Sequence, residues 1–272
     1  MLSRSPAEID DLITTAAELA DTARAATLLH FRSEGLSADS KEDDRFDPVT
    51  IADRLAEDRM REVLARRRPQ DAVLGEERGQ TAGTSGLTWV LDPIDGTRGF
   101  LSGTPSWGVL IAVADQAGPL YGIIDQPFIG ERFEGGFGRA ETLGPMGRRV
   151  LRSRSARLLS EAILFSTFPE VGTAEEGAAF HRLARQVRLT RYGMDCYAYA
   201  LVAAGQIDLV VEAGLASYDI MAPIAVIEAA GGIVTTWDGG PAHRGGRVVA
   251  AANREIHAAA LAVLNGECPA RS

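Results

Sequence analysis

The chain has 272 residues, of which 46% are hydrophobic and 24% charged, and its formal net charge is −9. This composition is typical of a globular protein, long enough for one large domain or two moderate ones that share a core. The acidic balance argues against a general nucleic-acid or anionic-membrane binder, and no apolar run reaches the roughly 20 residues that a membrane span needs.

Cysteine usage and the N-terminus indicate the cellular compartment. Cys196 and Cys268 are the two cysteines and lie far apart in the sequence, so a disulfide framework is not expected. Residues 1–8 lack the apolar core of a secretion signal. Both features favour a reducing, cytoplasmic location.

The N-terminal part is predicted to begin with two helices. Apolar residues recur at helical spacing over 8–31 and again over 50–68. The polar and charged segment between them, 35–47, is predicted to be an exposed loop. A short apolar run at 72–74 is typical of a strand, and the Gly, Thr and Ser residues of 79–88 are typical of a loop.

A buried strand at 89–91 is expected to stop at Asp92. The proline that follows removes a backbone donor, and Asp95-Gly96 favours a turn. Two carboxylates are therefore presented on one bend, with the Ile94 carbonyl between them and outside any ladder. The amides after the turn favour an anion, and carboxylates beside an anion would repel it unless a cation lay between them. The sequence thus predicts a hard divalent metal ion here.

Runs of strand type at 107–114, 120–125 and 132–134, separated by turn sequences, predict an antiparallel sheet. Strands and helices then alternate, as in an α/β unit. The predicted strands are 162–166, 187–192, 207–211, 232–236 and 247–251, and the predicted helices are 175–187, 196–204, 220–230 and 255–264. The fold class is therefore α/β in the broad (α+β) sense. Two subdomains are expected, an N-terminal α+β unit (1–150) with most metal ligands and a C-terminal α/β unit (151–272) with the specificity residues and the last metal ligand.

Five carboxylates fall at predicted element ends. They are Asp53, Glu76, Asp92, Asp95 and Asp219. Each also has an ordinary interpretation as a helix cap, a first-turn residue or a turn residue, but their shared position at element ends favours a site. The four histidines are scattered, so zinc has little support, and an all-oxygen set selects Mg²⁺ or a similar hard ion. Two such ions roughly 3.5–4 Å apart suit phosphoryl transfer to water.

Four motifs resemble those of the inositol monophosphatase superfamily in their order and spacing. They are Asp47 to Asp53, Gly75-Glu76-Glu77, Trp89 to Thr97, and Tyr218-Asp219 with Glu228 to Gly232. A narrower resemblance to the histidinol-phosphatase branch rests on 122–127 with 130–132, on 190–199 and on 207–215. The resemblance implies the layered αβαβα sandwich of that family, Mg²⁺-dependent phosphomonoesterase activity and a homodimer.

The resemblance also implies which residues hold metal. Glu76, Asp92 and the Ile94 carbonyl would bind a first ion. Asp92, Asp95 and Asp219 would bind a second, with two or three Mg²⁺ per site.

Catalytic and phosphate-binding roles follow from the same resemblance. Asp53 would orient Thr97, which together with Glu76 would position the attacking water. Asp95 and the amides of Gly96 and Thr97 would bind phosphate. The reaction would be direct attack by metal-activated water, without a covalent phosphoenzyme.

Substrate-binding positions implied by the resemblance lie in the C-terminal half, at Arg191, Asp195, Glu212 and Asp219. Carboxylates near the leaving group suit a cationic amino alcohol, because an ammonium would neutralise them. Asp195 and Glu212 also have a plain structural interpretation, as a helix cap and a strand end. Met194 departs from the branch, standing where a second glycine is common.

The predicted substrate is a small phosphorylated alcohol, and L-histidinol phosphate is the first choice. Inositol 1-phosphate or a broader range of small phosphate esters is the second. A non-catalytic regulator that keeps the fold is the alternative from another class. It is disfavoured because every predicted ligand position carries oxygen. No nucleic-acid or membrane partner is expected.

Overall fold

The computed structural model describes residues 4–34, 36–40 and 48–266. Most of the predicted 35–47 loop lies outside the described residues, as does Cys268. The described part of that segment, 36–40, includes a short strand, so the loop prediction is wrong there. Among the described residues no helix is both long and apolar enough to cross a membrane.

Helices and strands of the N-terminal half are numbered in chain order. They are α1 (Pro6–His30), β1 (Ala38–Ser40), β2 (Pro48–Thr50), α2 (Ile51–Arg67), β3 (Ala72–Gly75), β4 (Gly79–Thr81), β5 (Thr88–Asp95), α3 (Thr97–Leu101), β6 (Gly108–Asp115), β7 (Gly118–Gln126), β8 (Glu131–Gly136), β9 (Arg139–Gly144) and β10 (Gly147–Val150).

The C-terminal half alternates strands and helices, as predicted, after a single 3₁₀ turn at Leu159–Glu161. Its elements are β11 (Ile163–Ser166), α4 (Ala174–Ala184), β12 (Leu189–Tyr192), α5 (Asp195–Ala203), β13 (Leu209–Leu215), α6 (Ser217–Ala229), β14 (Ile233–Thr236), β15 (Gly246–Ala251) and α7 (Arg254–Leu264).

Local chemistry accounts for the starts of the first two helices. The Ser5 side chain accepts a hydrogen bond from the amide of Glu8, and Pro6 occupies the first turn of α1, where no amide hydrogen is needed. Thr50 and Asp53 form a capping box at the start of α2. The long helix predicted over 8–31 and the second helix are both confirmed.

Eight strands form the first sheet, in the order β10-β9-β8-β7-β6-β5-β3-β4. Strands β3 and β5 pair in parallel, and the other neighbours pair antiparallel. The predicted antiparallel sheet is therefore confirmed. The loop prediction for 79–88 is wrong at Gly79–Thr81, because these residues complete an edge strand on β3.

Five strands form the second sheet, in the order β12-β11-β13-β15-β14. Strand β11 runs parallel to both of its neighbours. Strand β15 runs antiparallel to both of its own. A mixed sheet of this kind follows from helical crossovers on one side and a direct strand return on the other.

The layers stack as αβαβα, which confirms the predicted sandwich. Helices α1 and α2 cover one face of the eight-stranded sheet, and α5 and α6 lie between the two sheets. Helices α4 and α7 cover the outer face of the five-stranded sheet. Helix α6 lies very close to β7 and β8, since a Cβ added at Gly122 would lie 2.6 Å from the Ala222 carbonyl oxygen and one at Gly135 would lie 2.5 Å from the Val226 Cα.

One apolar core joins the two halves of the chain. It contains residues of β6 and β7, such as Leu110 and Ile124, together with Val210 of β13 and Val226 of α6. A division near residue 150 therefore runs through a shared core, and the two-subdomain description stays a prediction.

Candidate active site

Strand β5 carries the first two acidic residues on a bulge. The strand continues to Asp95 rather than stopping at Asp92, so the predicted strand end is wrong. Asp92 lies opposite Leu110 and Asp95 opposite Gly108, so β5 has one residue more than β6 between these pairs. The bulge accommodates the proline, which has no hydrogen to donate to the ladder.

Thr97 lies between the Ile94 carbonyl and Asp53. Its Oγ1 is 3.1 Å from the Ile94 carbonyl oxygen and 3.4 Å from Asp53 Oδ1. Ile94 lies in the bulge, where it has no register partner on β6, and its carbonyl accepts a hydrogen bond from the Thr97 hydroxyl. Asp53 Oδ2 accepts from the Thr50 amide at 2.8 Å and from its hydroxyl at 2.5 Å. Asp53 therefore caps α2 with one oxygen and faces Thr97 with the other.

Burial is the main reason that the pKa of Asp53 rises to about 6, and the nearby charge of Glu76 adds to the effect. The side chain is 1% exposed. Above that pH its carboxylate holds a negative charge beside the Thr97 hydroxyl. The arrangement can hold the hydroxyl proton and leave the oxygen lone pairs for another donor.

Asp92, Asp95 and Asp219 form what we call the acidic cluster. Each offers one carboxylate oxygen, and these oxygens all lie within 4.8 Å of one another. Burial raises the pKa of Asp92 well above its ordinary value, with Glu76, Asp95 and Asp219 adding charge repulsion. The pKa of Asp95 is likewise raised, by burial and then by Asp195 and Asp219.

A divalent cation fits this donor set. The ligand atoms are all oxygen, which is the preference of Mg²⁺. The crowded carboxylates raise one another's pKa, and a cation between them would remove the repulsion.

Glu76 is held at the edge of the acidic cluster by its backbone. It directly follows β3, and its amide donates to the Leu91 carbonyl at 3.2 Å, which places it beside Asp92. The turn that follows Glu76 is held by Glu57 of α2. The fully buried carboxylate of Glu57 accepts hydrogen bonds from the amides of Glu77 (2.7 Å) and Arg78 (3.1 Å).

The sequence interpretation missed Glu57. Its signal is its position on the buried stripe of α2, together with Ala56 and Met60. Gly75 is required there, since an added Cβ would lie 2.0 Å from Glu57 Oε1.

Asp219 reaches the acidic cluster from the second half of the chain. It lies in the first turn of α6, and its Oδ2 accepts from the Ala216 amide at 2.7 Å. Because α6 packs on β5 to β8, its N-terminal turn meets the bulge of β5. Asp219, like Asp53, thus caps its helix with one oxygen, and its role in the site stays a prediction.

Asp195 lies directly over the turn at Gly96. A Cβ added to Gly96 would lie 2.7 Å from Asp195 Cγ, and the glycine has a left-handed φ of 85°. Ser106 donates to Asp195 Oδ2 at 3.3 Å. Burial raises the pKa of Asp195, while Ser106 and Arg98 act in the opposite direction. The next amide, of Cys196, donates to Asp95 Oδ2 at 2.5 Å.

Glu212 of β13 is buried. It accepts from the Thr167 amide at 2.7 Å, from the Thr167 hydroxyl at 2.9 Å and from the Ser166 hydroxyl at 3.3 Å. Burial raises its pKa to about 7, and the charge of Asp195 contributes in the same direction. Arg191 lies on the edge strand β12 with an exposed side chain, so its predicted role stays a prediction.

The sequence analysis did not predict several further residues that lie near these carboxylates. Ser106, Ser166 and Thr167 are ordinary loop and strand residues by composition, and only the fold brings them to Asp195 and Glu212. Tyr199 lies one helical turn after Asp195 on α5, and this four-residue spacing is the one signal in the sequence.

Comparison with known proteins decides the family. The sequence profile of the inositol monophosphatase family matches residues 8–267. The chain belongs to this family. It is 38% identical to the bifunctional phosphatase IMPL2, chloroplastic, of Arabidopsis thaliana, over 94% of this chain and 76% of the relative. It is 37% identical to a histidinol-phosphatase of Streptomyces coelicolor, over 96% and 98% of the two chains.

The solved structures agree with this family assignment. An inositol monophosphatase from Zymomonas mobilis is 39% identical and superposes with a TM-score of 0.83, covering 96% of this chain and 100% of the other. Family membership and these relatives make the chain a phosphoric monoester hydrolase.

Proposed function

We propose that the chain hydrolyses L-histidinol phosphate to L-histidinol and phosphate in a Mg²⁺-dependent reaction. The observation that carries the proposal is a pair of carboxylates beside the acidic cluster, the half-buried Asp195 and the buried Glu212. The name of the Streptomyces coelicolor relative, histidinol-phosphatase, supports it.

Five oxygen donors are proposed to hold Mg²⁺. They are the carboxylates of Glu76, Asp92, Asp95 and Asp219 and the carbonyl of Ile94. Bound there, Mg²⁺ would supply a Lewis acid for the phosphoryl oxygens and lower the pKa of a water molecule.

Thr97 and Asp53 are proposed to orient the attacking water, with Glu76 assisting. The Thr97 proton is held by the Ile94 carbonyl or the Asp53 carboxylate, at 3.1 and 3.4 Å. The hydroxyl oxygen can then accept a hydrogen bond from water. The amides of Gly96 and Thr97, with Asp95, are proposed to border the phosphate, because amides at the start of a helix favour an anion.

Asp195, Glu212 and Asp219 are proposed to receive the amino-alcohol part of the substrate, with Arg191 at its outer edge. Both Asp195 and Glu212 have a raised pKa, and burial is the first cause in each case. An ammonium group beside them would favour their charged forms and gain charge-assisted hydrogen bonds. A neutral polyol would leave that charge uncompensated.

Inositol 1-phosphate is the second candidate substrate. The Zymomonas mobilis structure, which is described as an inositol monophosphatase, is 39% identical to this chain. The Ser166 and Thr167 hydroxyls around Glu212 are groups that a polyol can also use.

Phosphate release should be compared across L-histidinol phosphate, inositol 1-phosphate and 3′-phosphoadenosine 5′-phosphate, at equal Mg²⁺. We expect the highest kcat/KM for L-histidinol phosphate, because it alone carries an ammonium next to the phosphorylated carbon. A wide preference for inositol 1-phosphate would overturn the assignment.

The metal assignment is tested with Asp95→Asn. The variant should fold normally and lose Mg²⁺-dependent phosphate release, because one carboxylate of the acidic cluster becomes an uncharged amide. Asp238→Asn is the matched control, since Asp238 is exposed and pairs with Arg247. Unchanged turnover in Asp95→Asn would contradict the ligand role. The homodimer and the cytoplasmic location stay predictions.

A further inference from the structure

The hydroxyl of Tyr199 is buried, and within the part of the chain that the structure describes it has no hydrogen-bond partner. The residue is 4% exposed and lies on α5, between the two sheets. A buried polar group without a partner is unfavourable by the full cost of removing it from water. Such a group in a folded protein calls for an explanation, and a ligand or an ordered water is the ordinary one.

Its surroundings belong to the candidate active site. The carboxylates of Glu212, Asp95 and Asp219 all lie within electrostatic range of the hydroxyl. Asp195 precedes Tyr199 by four residues, so both side chains project from one face of α5. That face already contacts the site, since Asp195 lies against Gly96.

The Tyr199 hydroxyl keeps its proton at physiological pH, because burial and then the nearby charge of Glu212 raise its pKa well above the ordinary value. It is therefore neutral and can both donate and accept. Carboxylates on their own can accept from a ligand but cannot donate to it. The Ser106, Ser166 and Thr167 hydroxyls also have both abilities, but they already donate to Asp195 and Glu212, whereas the Tyr199 hydroxyl is uncommitted within the described part of the chain.

We propose that Tyr199 is a specificity-determining residue whose phenolic oxygen accepts a hydrogen bond from the ammonium of an amino-alcohol phosphate, between Glu212 and the acidic cluster. This inference rests on the proposed function. In the complex, the ammonium of the ligand donates one hydrogen bond to Tyr199 and another to a carboxylate. The phenol proton of Tyr199 then points toward a second carboxylate or a water molecule. The Tyr199 hydroxyl thereby gains a hydrogen-bond partner.

Tyr199→Phe tests the proposal, with Tyr197→Phe as the matched control. Tyr197 is on the same helix, but its hydroxyl donates to Glu131 at 2.7 Å. We expect Tyr199→Phe to raise the KM for L-histidinol phosphate about tenfold with kcat changed less than twofold, the loss of one ligand hydrogen bond. The KM for β-glycerol phosphate, which has no amine, should stay within twofold. Tyr197→Phe should leave both KM values unchanged.

Thermal unfolding separates a ligand role from a structural one. Without ligand, Tyr199→Phe should have a Tm equal to or above that of the wild type, because an unpaired buried hydroxyl is removed. Tyr197→Phe should have a lower Tm, because it loses a hydrogen bond. A lowered Tm for Tyr199→Phe, or a KM that rises equally for both substrates, would overturn the proposal.

Binding of the product alcohol distinguishes this failure from that of the proposed function. L-Histidinol should bind Tyr199→Phe about tenfold more weakly than the wild type, measured by calorimetry, with inorganic phosphate binding unchanged. If the wild type binds L-histidinol and Tyr199→Phe binds it equally well, Tyr199 has no such role. If the wild type prefers inositol 1-phosphate and does not bind L-histidinol, the proposed function fails, and the Tyr199 assignment fails with it.

Discussion

Replacing Glu212 with glutamine should make the protein's stability less sensitive to pH. Burial raises the pKa of Glu212 from 4.5 to about 7. A carboxyl group with a raised pKa favours the folded state in its protonated form. Its contribution is therefore fully present below pH 4.5 and is lost as the pH rises through 7.

The size of the effect follows from the pKa difference. The free energy of unfolding falls by about 1.4 kcal/mol per pH unit between the unfolded and the folded pKa of Glu212. The total loss between pH 4 and pH 8 is therefore roughly 3 kcal/mol. The side chain is 6% exposed, so solvent screening reduces this little. Glutamine does not titrate. The free energy of unfolding of Glu212→Gln should therefore rise by that amount, relative to the wild type, as the pH increases over the same interval.

Urea unfolding at pH 5, 6, 7 and 8, in EDTA to exclude divalent cations, measures the difference between variant and wild type at each pH. Other buried carboxyl groups titrate in both proteins and cancel in that difference. Glu255→Gln is the control, since Glu255 is exposed at the start of α7. A Glu212→Gln difference that is constant from pH 5 to pH 8 would refute the argument from burial.

Three further predictions concern the supports of the site. Gly96→Ala should lower the free energy of unfolding by roughly 2–4 kcal/mol, because φ is 85° and the new Cβ meets Asp195. Gly130→Ala, at φ 79° in open space, should lower it by only about 1–2 kcal/mol in the same urea experiment. Glu57→Gln should lower the free energy of unfolding by roughly 1–3 kcal/mol, because the turn after Glu76 loses its carboxylate acceptor. The same variant should bind Mg²⁺ more weakly in calorimetry, and an unchanged Mg²⁺ affinity would contradict the link between Glu57 and the metal site. Removal of divalent cations with EDTA should lower the Tm, because the acidic cluster repels itself, and Mg²⁺ but not K⁺ should restore it; a Tm that ignores EDTA would argue against a bound cation.

Periodicity and turn chemistry were sufficient to predict most of the fold. The 3.6-residue spacing predicted α1 and α2, because one face of each helix is buried. In the second half, apolar runs separated by turn residues predicted the alternating strands and helices. The predictions failed at edges, where burial is weak. Strand β4 is wholly exposed, and its backbone pairing with β3 leaves no hydrophobic pattern to detect.

The candidate site was predictable to the extent that its residues lie at element ends. Asp92, Asp95 and Asp219 were expected together, and the structure brings their oxygens within 4.8 Å. Glu57 and Tyr199 were missed for a different reason. Each lies in the middle of a helix, and the groups it faces are distant in sequence, which no local spacing encodes. Glu57 faces the amide of Glu77, and Tyr199 faces the carboxylates of Glu212 and Asp95.

The position of α6 has a consequence for synthesis of the chain. The last strand of the eight-stranded sheet ends at Val150, yet α6, which packs on β5 to β8, begins at Ser217. At roughly 5–20 residues per second, a ribosome needs several seconds to make the intervening segment, and a sheet that formed in that time would expose apolar residues that α6 later covers. Asp219 arrives on the same helix. Synthesis of α6 therefore completes both the acidic cluster and the cover of the first sheet.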